Sequence, residues 1–170
     1  MSERLWAPWR LEYVAGGGDA GGCIFCDKPA LSDDDALILH RGKHAFAVLN
    51  LYPYANGHLM VAPYRHLPMP GDLNAEERAE LWQLADEGIT ALTAAMAPHG
   101  FNCGMNLGRV AGAGVEGHLH LHVVPRWNGD TNFMPVLADT RVMPEHLSRT
   151  LEKLRAAWPA GTTPPGASSS

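Results

Sequence analysis

The segment His118-Leu119-His120-Leu121-His122-Val123-Val124-Pro125-Arg126 alternates imidazoles with aliphatic side chains. A period of two predicts a strand, 117 to 126, with His118, His120 and His122 on one face and Leu119, Leu121 and Val123 anchoring the other in the core. Neighbouring imidazoles on such a face stand roughly 6–7 Å apart. That is near enough for the middle ring to act on a substrate while the flanking rings orient or discharge it. A solvated strand can carry histidines inertly, and short His-x-His runs chelate metals. Three histidines on one straight strand wrap poorly around a single tetrahedral ion, however, and this row adjoins Gly112-Ala113-Gly114. Catalysis is the favoured reading.

The loop Gly108 to Gly117 delivers the chain straight into His118. Its glycines allow consecutive backbone N–H groups to converge on an anion, although an ordinary hairpin connection is equally rich in glycine. Its position beside the histidine row favours a phosphate nest. A neutral imidazole attacks phosphorus readily and the phosphoryl-imidazole bond is labile, which suits a two-step nucleotidyl transfer. Donors placed around the phosphate oxygens then supply most of the stabilisation, with no obligatory catalytic metal.

Upstream, 36–40 and 45–50 read as a hairpin around Arg41-Gly42-Lys43, and 58–63 as a third strand entered through Pro53-Tyr54-Ala55-Asn56-Gly57. From Asn74 to Pro98 the period becomes helical. Asn74 and Glu77 can form a capping box, Leu81, Leu84, Ala85, Ile89, Leu92 and Met96 make an apolar stripe, and Pro98 and Gly100 end it. Strands are expected at 101–107 and 117–126, and a closing helix at 144–158. Strands in a meander with segregated helices give an α+β fold. Residues 1–22, with Trp6, Trp9 and Tyr13 before a glycine-rich break, read as an aromatic arm, 23–158 as the domain, and 159–170 as a disordered tail.

The 170 residues fit one domain, and an apolar fraction of 46% can build its core. A net charge of -5 argues against a nucleic-acid binder but leaves room for a local pocket that takes a small anion. No apolar run approaches the ~20 residues that cross a bilayer, and none resembles a signal peptide. Three cysteines, an odd number, fit a reducing compartment. A soluble cytoplasmic chain is expected.

Cys23-Ile24-Phe25-Cys26 is half of a zinc site or a redox pair, and zinc is favoured because no strand-to-helix context of the thioredoxin kind surrounds it. The missing ligands are sought in His66 and one end of the histidine row. His58, beside a glycine turn, is of a kind more often structural than ligating. Asn50 and Asn106 lie at strand ends, where turn hydrogen bonding is the ordinary role; next to the histidines they become candidates to hold sugar hydroxyls and phosphate oxygens. The candidate nucleotide contacts are therefore Asn50, His58, Asn106, Gly112, Ala113, Gly114 and His122.

These residues resemble the histidine triad family. The likeness runs from Cys23 to Arg126, through Leu49-Asn50-Leu51-Tyr52-Pro53, Gly57 to Pro63, Arg65-His66 and Asn106-Leu107-Gly108-Arg109. The arm Leu5 to Arg10 and the stretch Val123 to Phe133 look most like a bacterial branch acting on diadenosine tetraphosphate. The resemblance implies a two-layer α+β fold that dimerises through its long helix and a strand edge. It implies that His120 is the nucleophile of a nucleotidyl-histidine intermediate, and that His122 binds phosphate near the leaving group. Asn50 falls where the family holds the ribose and Asn106 where it contacts phosphate. Cys23, Cys26, His66 and His118 match a structural zinc set. One departure concerns the loop. Many members carry a glutamine after Ala-Gly and one residue fewer before the triad, whereas Ala113-Gly114 stands here; this resembles phosphorylases, with inorganic phosphate as second acceptor. The alternatives are a Hint-type nucleoside phosphoramidase and a non-catalytic nucleotide-binding module.

Overall fold

Asn74 caps the long helix as the sequence predicts. In the computed structural model, which describes residues 22–130 and 145–160, its side chain accepts the Glu77 N–H while the Glu77 carboxylate accepts the Asn74 N–H, both at 2.9 Å. This reciprocal pair satisfies two donors that the first turn would otherwise strand. The helix, α3 (Ala75–Met96), ends with Ala97 in the left-handed conformation just before Pro98. Two short helices precede it, α1 (Ile24–Asp27) and α2 (Asp33–Ala36), and α4 (Leu147–Ala157) closes the described chain.

Five strands, β1 (Ile38–Arg41), β2 (Ala45–Leu49), β3 (Leu59–Pro63), β4 (Gly100–Gly104) and β5 (Leu121–Arg126), form one sheet in the order β1-β2-β3-β5-β4. Every neighbouring pair is antiparallel. The expected meander is interrupted once: β3 and β4 run parallel, so the chain crosses through α3 to the sheet's outer edge and β5 returns between them. The two-layer α+β class stands.

α3 and α4 cover one face, where Leu49, Leu59, Val61, Leu81, Leu84, Leu92, Leu121 and Leu154 form the main core. The other face carries a smaller cluster, Phe25, Ile38, Phe46, Val48 and Met60. Both faces of β2 and β3 are thus buried, while β4 at the edge is largely exposed. The expected strand at 36–40 starts two residues late because Ser32 caps a helical turn made of Asp33, Asp34 and Asp35, after which Leu37 turns left-handed. Aspartates in a first turn complement the helix dipole, which is why this segment coils before it extends.

Glu80, on α3, pins the β1–β2 turn. Its carboxylate accepts the N–H groups of Lys43 and Ala45, each at 2.8 Å, and that of His44 between them. Gly42 permits this approach, since a Cβ there would lie 2.8 Å from the carboxylate. Gly57 plays the matching role ahead of β3. Its φ is +80° and a Cβ would come 2.7 Å from Leu92, so glycine alone lets the turn pass this close to α3 just before His58. The aromatic arm lies outside the described residues, as do Pro144 and most of the expected tail.

Candidate active site

Regular strand begins only at Leu121, three residues later than His118. β3 pairs with β5 over Leu59 to Val61, and beyond that Pro63 has no N–H to continue the ladder. Other bonds fix the backbone there. Leu119 N–H reaches the Leu67 carbonyl at 2.7 Å, and the Pro63 carbonyl receives Nε2–H of His118 at 2.8 Å. Alternation survives the break, for Leu119, Leu121 and Val123 all enter the main core. The His120 and His122 rings come closer than an even row would place them, with centroids 4.8 Å apart.

Its three members do two different things. His120 and His122 line a cleft of about 330 Å³, whereas His118 is buried against the cysteines. Nδ1 of His120 lies 2.8 Å from the His118 carbonyl, which can only accept, so Nδ1 carries the proton and Nε2 the lone pair. Burial pushes the His120 pKa below its ordinary value, partly opposed by that carbonyl. Its ring is held in the nucleophilic tautomer.

A second chain of bonds fixes His122. Nδ1 of His58 accepts the Tyr54 N–H at 3.0 Å, with Asn50 Nδ2 at 3.3 Å, so the proton of neutral His58 sits on Nε2. That N–H meets Nδ1 of His122 at 2.9 Å, and His122 in turn carries its proton on Nε2. One ring thus offers a lone pair and its neighbour a proton. His58, expected as a nucleotide contact, is completely buried and is not among the residues that line the cleft. It reaches the cleft wall through its bond to His122.

Asn50 and Asn106 line the cleft with Gly112, but Ala113 and Gly114 do not. Part of the loop expected to form a phosphate nest winds into a 3-10 turn, Arg109–Ala111. The Gly112 N–H is spent on the Arg109 carbonyl at 2.9 Å and the Ala113 N–H on that of Gly108 at 3.3 Å. Asn50 Oδ1 accepts the Tyr52 N–H at 3.0 Å. Asn106 stands in the loop beyond β4, which stops at Gly104 rather than 107.

Cys23, Cys26, His66 and His118 come together as one cluster, their donor atoms all within 4.8 Å of one another. Nδ1 of His118 is 3.2 Å from Cys23 Sγ and 3.5 Å from Cys26 Sγ, and Nδ1 of His66 is 3.4 Å from Cys26 Sγ. Ligands around a tetrahedral zinc with bonds of about 2.0–2.3 Å stand roughly 3.5 Å apart, so the spacing fits that ion. The donor chemistry fits as well. With Nε2–H given to the Pro63 carbonyl, His118 presents Nδ1 as a bare lone pair, which is how a backbone carbonyl orients a ligating imidazole. Burial also lowers the His118 pKa and favours the neutral ring.

Two participants escape a reading of the sequence. Phe25 stacks against His118 at 5.3 Å and His120 at 4.8 Å, joining the cysteine cluster to the cleft wall. Tyr54 stacks on His58 at 4.8 Å and on His122 at 6.1 Å, while its own N–H sets the His58 tautomer. The signal for Phe25 was its place between two cysteines, and for Tyr54 its place four residues before a buried histidine. Neither spacing names a contact. Among the described residues no helix is long and apolar enough to cross a membrane.

Comparison with known proteins agrees with this geometry. A model of the HIT domain matches residues 32–129, a span that holds His120 and His122 and begins after the two cysteines. The chain is 42% identical over 164 residues to the AP-4-A phosphorylase of Mycobacterium tuberculosis (strain CDC 1551 / Oshkosh), covering 92% of this chain and 84% of that one. It is 35% identical over 82 residues to the Bis(5'-adenosyl)-triphosphatase of Dictyostelium discoideum, covering 48% and 54%. A crystal structure of a Zn-bound histidine triad family protein from Mycobacterium smegmatis superposes with a TM-score of 0.63 at 27% identity, over 81% of this chain and 93% of that one. A domain match across more than half the chain, on the segment bearing both cleft imidazoles, together with kinship along nearly the whole sequence, makes this protein a member of the histidine triad (HIT) family.

Proposed function

We propose that this protein cleaves dinucleoside polyphosphates by moving a nucleoside monophosphate group onto Nε2 of His120 and then to a second acceptor. The observation that carries the reading is the pairing of tautomers in the cleft, a lone pair on His120 beside a proton on His122. His120 attacks the α-phosphorus, the bond from that phosphorus to the bridging oxygen breaks, and the polyphosphate departs as an anion whose oxygen accepts a hydrogen bond from the His122 Nε2–H. In the second step an oxygen of the acceptor phosphate attacks phosphorus, the N–P bond breaks and His120 is released as the neutral ring. The apolar wall of Ile24, Phe25, Leu31, Leu49 and Met60 suits a planar base, with Asn50 at the ribose and Asn106 at the phosphate.

Inorganic phosphate is the acceptor we favour, supported by the M. tuberculosis relative named a phosphorylase at 42% identity. Product analysis separates the cases. With diadenosine tetraphosphate and phosphate, ADP plus ATP is expected; AMP plus ATP would mean water is the acceptor, and no cleavage alongside turnover of adenosine phosphoramidate would replace this reading with that of a phosphoramidase.

We propose further that Cys23, Cys26, His66 and His118 hold a structural zinc that clamps the segment before α1 to the sheet. The ion supplies stability there, and the transfer steps proceed on imidazoles alone. Metal analysis should find one zinc per chain in the purified protein and a large loss in Cys23→Ser; equal metal content in both would remove these four residues as the site.

A further inference from the structure

One cation lines the cleft, and the transfer steps leave it unused. Lys28 directly follows α1 and is the only lysine or arginine among the described residues on the cleft wall. It is half-buried, and its Nζ donates to the Ala36 carbonyl at 2.6 Å. An ammonium carries three N–H donors and no acceptor, and each donor taken out of water needs a partner. Among the described residues that carbonyl is its one hydrogen-bond partner and no carboxylate pairs with it. Burial pushes its pKa below the ordinary lysine value. Two donors remain for whatever fills the cleft.

The register of the sheet fixes where this ammonium stands. His122 on β5 is paired with Met60 on β3, Met60 with Val48 on β2, and Val48 with Ile38 on β1. Three strand spacings of about 4.8 Å make that row roughly 14 Å long. Ala36, whose carbonyl holds Lys28, precedes Ile38 by two residues and packs in one cluster with Ile38, Val48 and Met60. The imidazoles therefore stand at the β5 end of the cleft and the ammonium near the β1 end, with Met60 between them. In a nucleotide whose phosphorus lies against His120, the base is the part farthest from that phosphorus. Lys28 thus meets the base and not the phosphate.

The bases differ in what they offer a donor. Guanine presents two neighbouring acceptors, O6 and N7, whereas adenine sets its N7 acceptor beside a 6-amino donor that an ammonium cannot use. Resting on the reading above, in which the cleft holds one nucleoside monophosphate, we propose that Lys28 donates its two remaining N–H bonds to O6 and N7 of a guanine, so that the cleft takes guanine nucleotides in preference to adenine ones. Lys28 touches no reacting atom. It sets specificity, and diadenosine tetraphosphate stays a substrate that is held less well than its diguanosine counterpart.

Calorimetric affinities of GMP, AMP and IMP test this without turnover. The wild type should bind GMP about tenfold more tightly than AMP. Lys28→Met, which keeps the length of the stem, should bring the two affinities together by weakening GMP. IMP keeps O6 and N7 but lacks the 2-amino group, and it should bind as GMP does. Equal affinities for GMP and AMP in the wild type overturn the proposal, as do equal losses of both in Lys28→Met, which would place the ammonium at the phosphate. IMP falling to the level of AMP would assign the preference to the 2-amino group, and so to the carboxylate of Asp27, which also lines the cleft; that too overturns it. The IMP comparison needs no variant, so the proposal stays open to refutation even if Lys28→Met does not fold. Product analysis judges the proposed function separately: cleavage of diadenosine tetraphosphate with no guanine preference removes the role of Lys28 alone, and a guanine preference without cleavage removes the transfer chemistry alone.

Discussion

Replacing His120 with alanine is expected to reduce turnover of diadenosine tetraphosphate by about 10⁴-fold or more while leaving the protein folded, because it removes the nucleophile and not merely a contact. His122 cannot substitute for it. Its Nδ1 lone pair is occupied by the His58 N–H at 2.9 Å, and its other nitrogen carries a proton. A bystander role for His120 would give a different result, a modest rise in KM with kcat preserved. Steady-state kinetics and trapping of a nucleotidylated protein after a brief incubation distinguish the two. The intermediate should form on the wild type and be absent from His120→Ala, and full turnover by that variant would end the mechanism. Thermal melting serves as the control: a ring that packs against Phe25 and bonds only to a backbone carbonyl should cost a few degrees at most.

The second large effect concerns stability. Glu77→Ala should lower the melting temperature by about 10 °C, from a loss of about 3 kcal/mol at roughly 2–4 °C per kcal/mol. Three bonds end on this one carboxylate: Arg65 Nε at 2.5 Å, Arg65 Nη2 at 2.7 Å and the Asn74 N–H at 2.9 Å. Glu77 is only 4% exposed, so water replaces little of this after the change. The Arg65 side chain is 57% exposed and can be rehydrated, which keeps the penalty well below that of stranding a fully buried charge. The same pair has a signature in acid. Arg65, and after it the Asn74 N–H, holds the Glu77 carboxyl down to about 2, against roughly 4.3 in an unfolded chain. A depressed folded value means the contribution is complete above about pH 5 and is lost as pH falls toward 2. The stability gap between wild type and Glu77→Gln should therefore narrow on acidification, and a gap independent of pH would show that the charge on Glu77 is not what matters.

Much of this was legible in the residues because it depends on period and chemistry. Alternation at 118–123 predicts which side of the row enters the main core, and Asn74 with Glu77 predicts the start of α3. Cys23, Cys26, His66 and His118 meet as the family likeness implied. What escaped depends on partners that pattern does not encode. The pairing of β3 with β5 stops at Val61, ahead of Pro63, so His118 and His120 lie outside the regular strand, a consequence of which strand lies alongside. The crossing that puts β5 between β3 and β4 is set by packing of α3 on the sheet. In the loop 108–117 a local 3-10 turn engages the Gly112 and Ala113 N–H groups, a commitment that a count of glycines does not reveal. A histidine beside a glycine turn is ordinarily structural, and the burial of His58 together with its bond to His122 Nδ1 is visible only in the fold.

Phe25 leaves the two chemical centres mechanically joined. Its ring packs on His118 of the cysteine–histidine clasp and on His120 of the cleft, and in sequence it is flanked by both thiols. Under the proposed mechanism, loosening the clasp would shift the ring that backs His120, so metal loss and misaimed transfer would come together.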